Sequence, residues 1–344
     1  MINYKHDTIR AGMAQRKARL ITVTIFLAVL TIVLAGLMLV LGNTIYPPDI
    51  ILRALMGEPI KGASFAINTL RLPRMLTGLF VGLAFGIGGN TFQTMLRNPL
   101  ASPDIIGVTS GSSVAAVLCI LVFQRSGTFV SIAAVISGLF VAALIYILSK
   151  GGSFSGGRLI LIGIGIQAML RAVISFLLLN ANQYDVPAAM RWLSGSLNGM
   201  QMKDVPSLFF VVVSFGLVIL LLGRHLKILE LGEQTAVTLG LRADRTRLLL
   251  VLCAVFLIAF ASAITGPIAF VAFLAGPIAG RLVGKGSSNV LSSGLVGAIL
   301  VLGADLIGQF AFDTRFPVGI ITGILGAPYL LFLLIRINRT GGAA

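Results

Sequence analysis

Three segments combine residue types able to bind ions or dock partners, and each interrupts or abuts an apolar run. The first is Arg71-Leu72-Pro73-Arg74. Proline suits a first helical turn, where its missing N–H would go unpaired anyway. Arg74 would then sit near the positive end of the helix dipole, an unfavourable place for a cation. Such a guanidinium needs an anion: a lipid headgroup, an acidic group of this chain, or an acidic surface on another protein. The second segment is the loop 224–247, which contains LELGEQTAVTLGLRADR. Gly232 can cap a short helix, Glu233 favours its positive end, and Gly240 supplies the left-handed closing residue. Ala236, Val237 and Leu239 give that helix an apolar side. A capped, partly apolar helix suits a groove on a partner or the surface of a bilayer. The third is Arg171, a lone cation within an apolar run. It must pair with a carbonyl, snorkel outward, or face a functional path.

Enzyme chemistry is not visible. Gly163-Ile164-Gly165-Ile166-Gln167-Ala168 loosely matches a dinucleotide fingerprint but lies inside an apolar run with no preceding strand. Around Gly284-Lys285 a phosphate-binding loop would need Gly where Ala279 stands and Ser or Thr where Gly286 stands. Any ATP-driven function therefore calls for a partner ATPase. His6 and His225 are the two histidines, and no acidic or thiol ligands cluster, so no metal or cofactor site is expected. Cys119 and Cys253 each lie in apolar runs and read as small core residues.

The elements that position these segments follow from composition. Apolar residues make up 57% and charged residues 11%, with a mean hydropathy of +1.01; soluble chains carry about 25% charged residues. Runs such as Leu20 to Leu41 are long enough to span a bilayer. The expected fold is all-α, a single membrane domain over 1–344. Its ten spans are placed near 20–42, 74–96, 106–123, 128–148, 159–180, 205–223, 248–265, 267–281, 290–309 and 317–335. The third and eighth are short or interrupted. Residues 1–19 read as a basic lead-in rather than a cleavable signal, because the apolar run that follows is too long. Residues 336–344 form a short tail.

Ten spans put both termini on one side. Seventeen of the 26 basic residues then lie on that side, eight lie opposite, and Arg171 falls within a span. This bias assigns the termini to the cytoplasm. It accounts for the net charge of +15 without a nucleic-acid partner. Pro99 and Pro103 forbid a continuous helix and demand a sharp re-entry after the second span. Gly78, Gly82 and Gly86 place small residues along one helical face, and Gly294, Gly297, Gly303 and Gly308 suggest a second closely packed helix.

At these interruptions the chain resembles the FecCD-type permeases of iron-siderophore and cobalamin ABC importers. RLPR at 71–74, RNPLASPDIIG at 97–107, WLSGSLNG at 192–199 and LGEQTAVTLG at 231–240 look like that family's motifs. So do GPIAFVAF at 266–273, Ala304-Asp305 and PVGIITGILGAPYLLFLL at 317–334. RNPLASPDIIG together with RLILIGIG is most similar to the ferric-enterobactin type.

The resemblance implies a ten-helix permease in the bacterial inner membrane, paired with a homologous second permease or with itself. It further implies two ATP-binding cassette ATPases, a substrate-binding lipoprotein on the outer face and a ferric siderophore as cargo, with haem or cobalamin as the alternative. Arg71 and Arg74 would inherit docking to acidic residues of the binding protein, and Arg315 would be a third docking cation. Glu230, Gly232, Glu233, Ala236, Leu239 and Gly240 would form the coupling helix on the ATPase, and Gln93 and Arg171 would border the translocation path. Three departures stand out: Pro277-Ile278 where many relatives have Pro-His, Gln309 where some carry a further Arg, and Arg315 where Glu is common, the place from which Arg315 would act as the third docking cation. An ion-gradient transporter would need carboxylates within its spans, and Asp305, near an outer end, is the one candidate.

Overall fold

The computed structural model describes residues 2–99, 101–149, 156–284 and 288–341. Lys150, Lys285, Gly286 and the last three residues of the expected tail lie outside the described residues, as do the side chains of Lys5, Arg10, Arg336 and Arg339. Among the described residues every regular element is helical. In chain order they are α1 (Ile2–Val40), α2 (Pro48–Leu55), α3 (Leu72–Met95), α4 (Val108–Leu121), α5 (Thr128–Ser149), α6 (Gly156–Leu179) and α7 (Val186–Leu193). There follow α8 (Val205–Leu221), α9 (Gly223–Glu230), α10 (Glu233–Thr238), α11 (Ala243–Thr265), α12 (Val271–Val283), α13 (Val290–Phe310) and α14 (Val318–Gly341).

Seven of these helices are long and apolar enough to cross a membrane, and three shorter apolar stretches lie in α4, α12 and α14. Together they correspond to the ten expected spans. The third and eighth are indeed the short ones, with 14 residues in α4 and 13 in α12. After α3 the chain turns through Pro99, makes a single 3-10 turn at Pro103–Ile106 and re-enters as α4. Gly107, at φ 71°, forms the corner between that turn and α4.

Several boundaries differ from the sequence expectation: α11 starts at Ala243 rather than 248, α14 runs on through the expected tail to Gly341, and two more differ at the N-terminal end of the chain. The basic lead-in is not separate from the first span, because α1 runs unbroken for 39 residues. Arg19 donates from Nε to the Leu282 carbonyl at 2.9 Å and from Nη2 to the Arg281 carbonyl at 3.2 Å. Those carbonyls end α12 and have no intrahelical donor, so Arg19 closes a neighbouring helix. The second span likewise begins earlier than 74. A π-helical stretch, Phe65–Arg71, runs directly into α3. Arg74 is therefore not in the first turn of an isolated helix, and the dipole argument for an anionic partner lapses there.

Helix α3 is the central strut, packed against α8, α11, α12 and α13. Its small-residue face meets the matching face of α13. A methyl group on Gly82 would overlap the Ala298 backbone, and one on Gly86 the Ser293 carbonyl. One on Gly297 would overlap the Gly82 carbonyl. Backbones in such close contact gain dispersion energy that bulkier side chains would forbid. The expectation fails at Gly303, where a methyl group would meet no atom within 4 Å. That position lies off the packed face. Arg19 near the start of α1 meets Leu282, and Gly223 at the start of the loop 224–247 lies against Ser288, so the two segments share one end of the bundle, called the basic end below.

Candidate functional site

At the end opposite the basic loop, the segment after α1, the RLPR corner, residues 197–200 and the end of α13 enclose a cavity of about 330 Å³. Arg71, Arg74 and Arg315 all line it, although 231 residues separate Arg74 from its partner Asp305 and 272 separate Arg315 from Asn43. The three cations are held differently.

Arg71 donates from Nη1 to the carbonyls of Leu39 (2.8 Å) and Val40 (2.9 Å), and from Nη2 to that of Thr44 (2.6 Å). It lies 5.1 Å over the Tyr46 ring. It thus closes the C-terminus of α1, in the space that the missing side chain of Gly42 leaves. Arg74 grips Asp305 with both arms, Nε to Oδ2 and Nη2 to Oδ1, each at 2.8 Å. Gln309 Nε2 donates to the same Oδ2 at 2.7 Å. Asp305 is 1% exposed, so its charge is stabilised by these donors in place of water. Arg315 donates to the neutral Asn43 Oδ1. Among the described residues, Arg71 and Arg315 pair with no carboxylate, whereas Arg74 is neutralised. The anion that Arg74 requires is supplied by this chain.

At the basic end α9 leads into α10, and the punctuation is the expected one: Gly232 precedes α10 at φ 110° and Gly240 follows it at φ 82°. Both conformations are open to glycine at little cost. The apolar side is split, however. Ala236 is fully buried against the core, while Val237 and Leu239 are 57% and 61% exposed. Glu233 accepts from Arg247 Nη2 at 3.1 Å. Arg247, buried on α11, also lies 3.7 Å from Asp244, so α10 is tied to a spanning helix. In the sequence Arg247 is one more basic-end charge, and no periodicity links it to Glu233 fourteen residues earlier.

Glu230, exposed at the end of α9, lines a second basic-end cavity with Asn90, Gln93, Arg97 and Asn289. Gln93 Nε2 donates to the carbonyls of Phe273 (2.9 Å) and Pro99 (3.1 Å), where Gly276 leaves room for it. Its amide staples α3 to α12.

A cleft of about 320 Å³ opens between α4, α6 and α12. Arg171 and Gln167 of α6 line one wall, and Thr109, Ser110 and Ser113 of α4 line another. At one end Asp104 accepts hydrogen bonds from the hydroxyls of Ser102 and Thr109. At the other, Pro267 to Phe270 lead into α12, with Phe270 in the left-handed region at φ 63°. Arg171 is exposed and makes no ion pair among the described residues. No group of three or more potential metal ligands occurs among them.

The chain is similar to transport proteins over most of its length. The FecCD transport family matches residues 27–336. The ferric enterobactin transport system permease protein FepG of Escherichia coli (strain K12) is 36% identical over 324 residues, which cover 94% of this chain and 98% of that protein. The cobalamin import system permease protein BtuC of Halobacterium salinarum is 38% identical over 281 residues, 81% of this chain and 75% of that protein. Among solved structures, an inward-facing conformation of a metal-chelate type ABC transporter aligns with a TM-score of 0.82 at 28% identity. It covers 92% of this chain and 99% of that one.

Proposed function

The chain belongs to the FecCD transport family, and from that membership we propose that it carries a ferric siderophore across the bacterial inner membrane. It is a multi-pass membrane permease of the ABC importer class. The siderophore assignment rests on a ferric-enterobactin permease that matches over almost its full length. The cobalamin relative supports a second reading, with cobalamin as cargo, over a smaller share of both chains. In either case two ATP-binding cassette ATPases sit at the basic, cytoplasmic end. A substrate-binding lipoprotein sits at the opposite end, and a second permease completes the conduit.

The single observation that carries this reading is the division of labour between the two ends. At the outer cavity Arg71 and Arg315 keep a positive charge that no carboxylate among the described residues offsets, which suits acidic groups on a binding protein. Arg74 supports them indirectly by fixing α3 to α13 through Asp305. At the inner end, α10 presents Val237 and Leu239 outward from a helix anchored by buried Ala236 and by the Glu233–Arg247 pair. Two exposed apolar side chains on a tethered helix suit a groove on the ATPase, and the anchor passes its displacement to α11. ATP binding in the partners then closes the inner side, and the conduit alternates between inward-open and outward-open forms. Gln93 contributes by bracing α3 against α12.

Two results are expected. Arg315→Glu combined with Arg71→Gln lowers affinity for the binding protein about a hundredfold, as for the loss of two charge-assisted contacts. ATPase co-purification stays at the wild-type level, and an unchanged affinity in a pull-down titration would remove the docking assignment. Conversely, Val237→Asp with Leu239→Asp detaches the ATPases and abolishes uptake while docking persists. Normal co-purification with full uptake would rule out α10 as the coupling element.

A further inference from the structure

We propose that Arg171 is a specificity-determining residue of the transport path, which selects metal chelates bearing oxyanions in the cleft between α4, α6 and α12. The proposal rests on the importer reading above and assigns a charge class to its cargo.

Arg171 lies fifteen positions beyond Gly156, where α6 starts at the basic end. At 1.5 Å per residue that is about 22 Å along the helix, well inside a hydrocarbon layer of about 30 Å. A cation at that depth is ordinarily paired or faces a water-filled path. Among the described residues no carboxylate lies within ion-pair distance of Arg171, and its side chain lines the cleft.

Of the other polar groups of the cleft, Gln167, Thr109 and Ser113 each have a donor engaged. Gln167, one turn inward, donates to the Asp104 carbonyl at 3.3 Å. Ser113 donates to the Thr109 carbonyl, and Thr109 to the Asp104 carboxylate. What these hydroxyls turn to the cleft is lone-pair density, which does not hold an anion. Arg171 is thus the strong anion donor on this wall, and its planar fork matches paired oxygens such as carboxylate or catecholate.

The order of charges gives the path a direction. A chelate entering from the outer side meets Arg171 first. The inner end holds Asp104, whose carboxylate repels an anion. Attraction followed by repulsion makes a site that admits cargo without retaining it, as conduction requires. A cationic cargo would meet the opposite sequence. Helix α6, which carries Arg171, is also little covered by this chain. Of the apolar window in α6 only 11% is buried, against 78% in the span containing α3. A second permease covering α6 would complete the wall opposite Arg171.

The test uses the full importer in proteoliposomes, with a trianionic ferric tris-catecholate as the probe and Arg171→Lys, Arg171→Gln and Arg171→Glu as the series. Uptake is expected to fall about tenfold in the Gln variant, as for one lost charge-assisted contact. It should fall further in the Glu variant and less in the Lys variant, which keeps the charge but not the planar fork. Binding-protein affinity and ATPase co-purification should stay constant across the series, which a merely structural role would not predict. Equal uptake by wild type and the Gln variant overturns the charge role, and so does a Lys variant as impaired as Gln. Failure of the wild-type importer to take up any ferric chelate overturns the siderophore reading itself, and the proposal with it.

Discussion

Asp305→Asn is expected to weaken binding-protein docking and to destabilise the permease, although Asp305 is only 1% exposed. The carboxylate accepts from both arms of Arg74 and from Gln309. Removing its charge leaves a guanidinium, mostly enclosed by protein, without a counter-ion, a loss of about 3–5 kcal/mol in comparable buried pairs. The direction of the docking effect separates two roles for Arg74. If Arg74 were itself the cation that grips the binding protein, freeing it from Asp305 would strengthen docking. If it instead fixes α3 to α13 beneath Arg71 and Arg315, docking weakens. The geometry predicts the second result. A double replacement, Arg74→Met with Asp305→Leu, should recover most of the thermal stability, because neither charge is then left alone. Thermal unfolding in detergent and a docking titration on the three variants check both parts.

Gly86→Val is expected to abolish the folded permease, while Gly303→Ala leaves it unchanged. At Gly86 a methyl group already overlaps the Ser293 carbonyl and presses on the Gly294 backbone. Backbone cannot swing aside as a side chain can, so α3 and α13 must separate along a contact that runs most of their length. Overpacking costs about 1–3 kcal/mol where side chains can yield, and a fixed backbone wall puts this case at or beyond the upper limit. Gly78 lies on the same stripe, but its nearest neighbours are the side-chain ends of Leu197 and Leu302. Gly78→Ala should therefore be milder. The yield of monodisperse protein ranks the three variants, and an equal yield from Gly86→Val and Gly303→Ala would contradict the packing account.

What the sequence disclosed was local in origin. Apolar run length located ten spans, and the shortness of α4 and α12 was visible because prolines and glycines interrupt them. The bounds of α10 were legible because Gly232 and Gly240 mark a helix from within its own nine residues. What stayed hidden depended on contacts distant along the chain. Nothing near Arg74 points to Asp305, 231 residues away, so three classes of anion remained open until the fold closed the choice. The Glu233–Arg247 tether and the inward turn of Ala236 were invisible for a related reason: a six-residue helix is too short for periodicity to say which side is covered. Gly303 shows the converse error. A glycine in a glycine-rich helix was assigned to the packed face, although it lies where no neighbour approaches.

We propose that this bundle is a passive conduit, loaded at the arginine-lined cavity and driven through α10 by ATPases in other chains. The most direct measurement is uptake of radio-iron as a ferric tris-catecholate into proteoliposomes holding the permease pair, the ATPases and the binding protein. Uptake should require ATP on the face that carries α10, and should fall to background when Val237 and Leu239 are both replaced by Asp. Uptake that proceeds without ATP, follows a proton or sodium gradient, and persists in that variant would contradict the account.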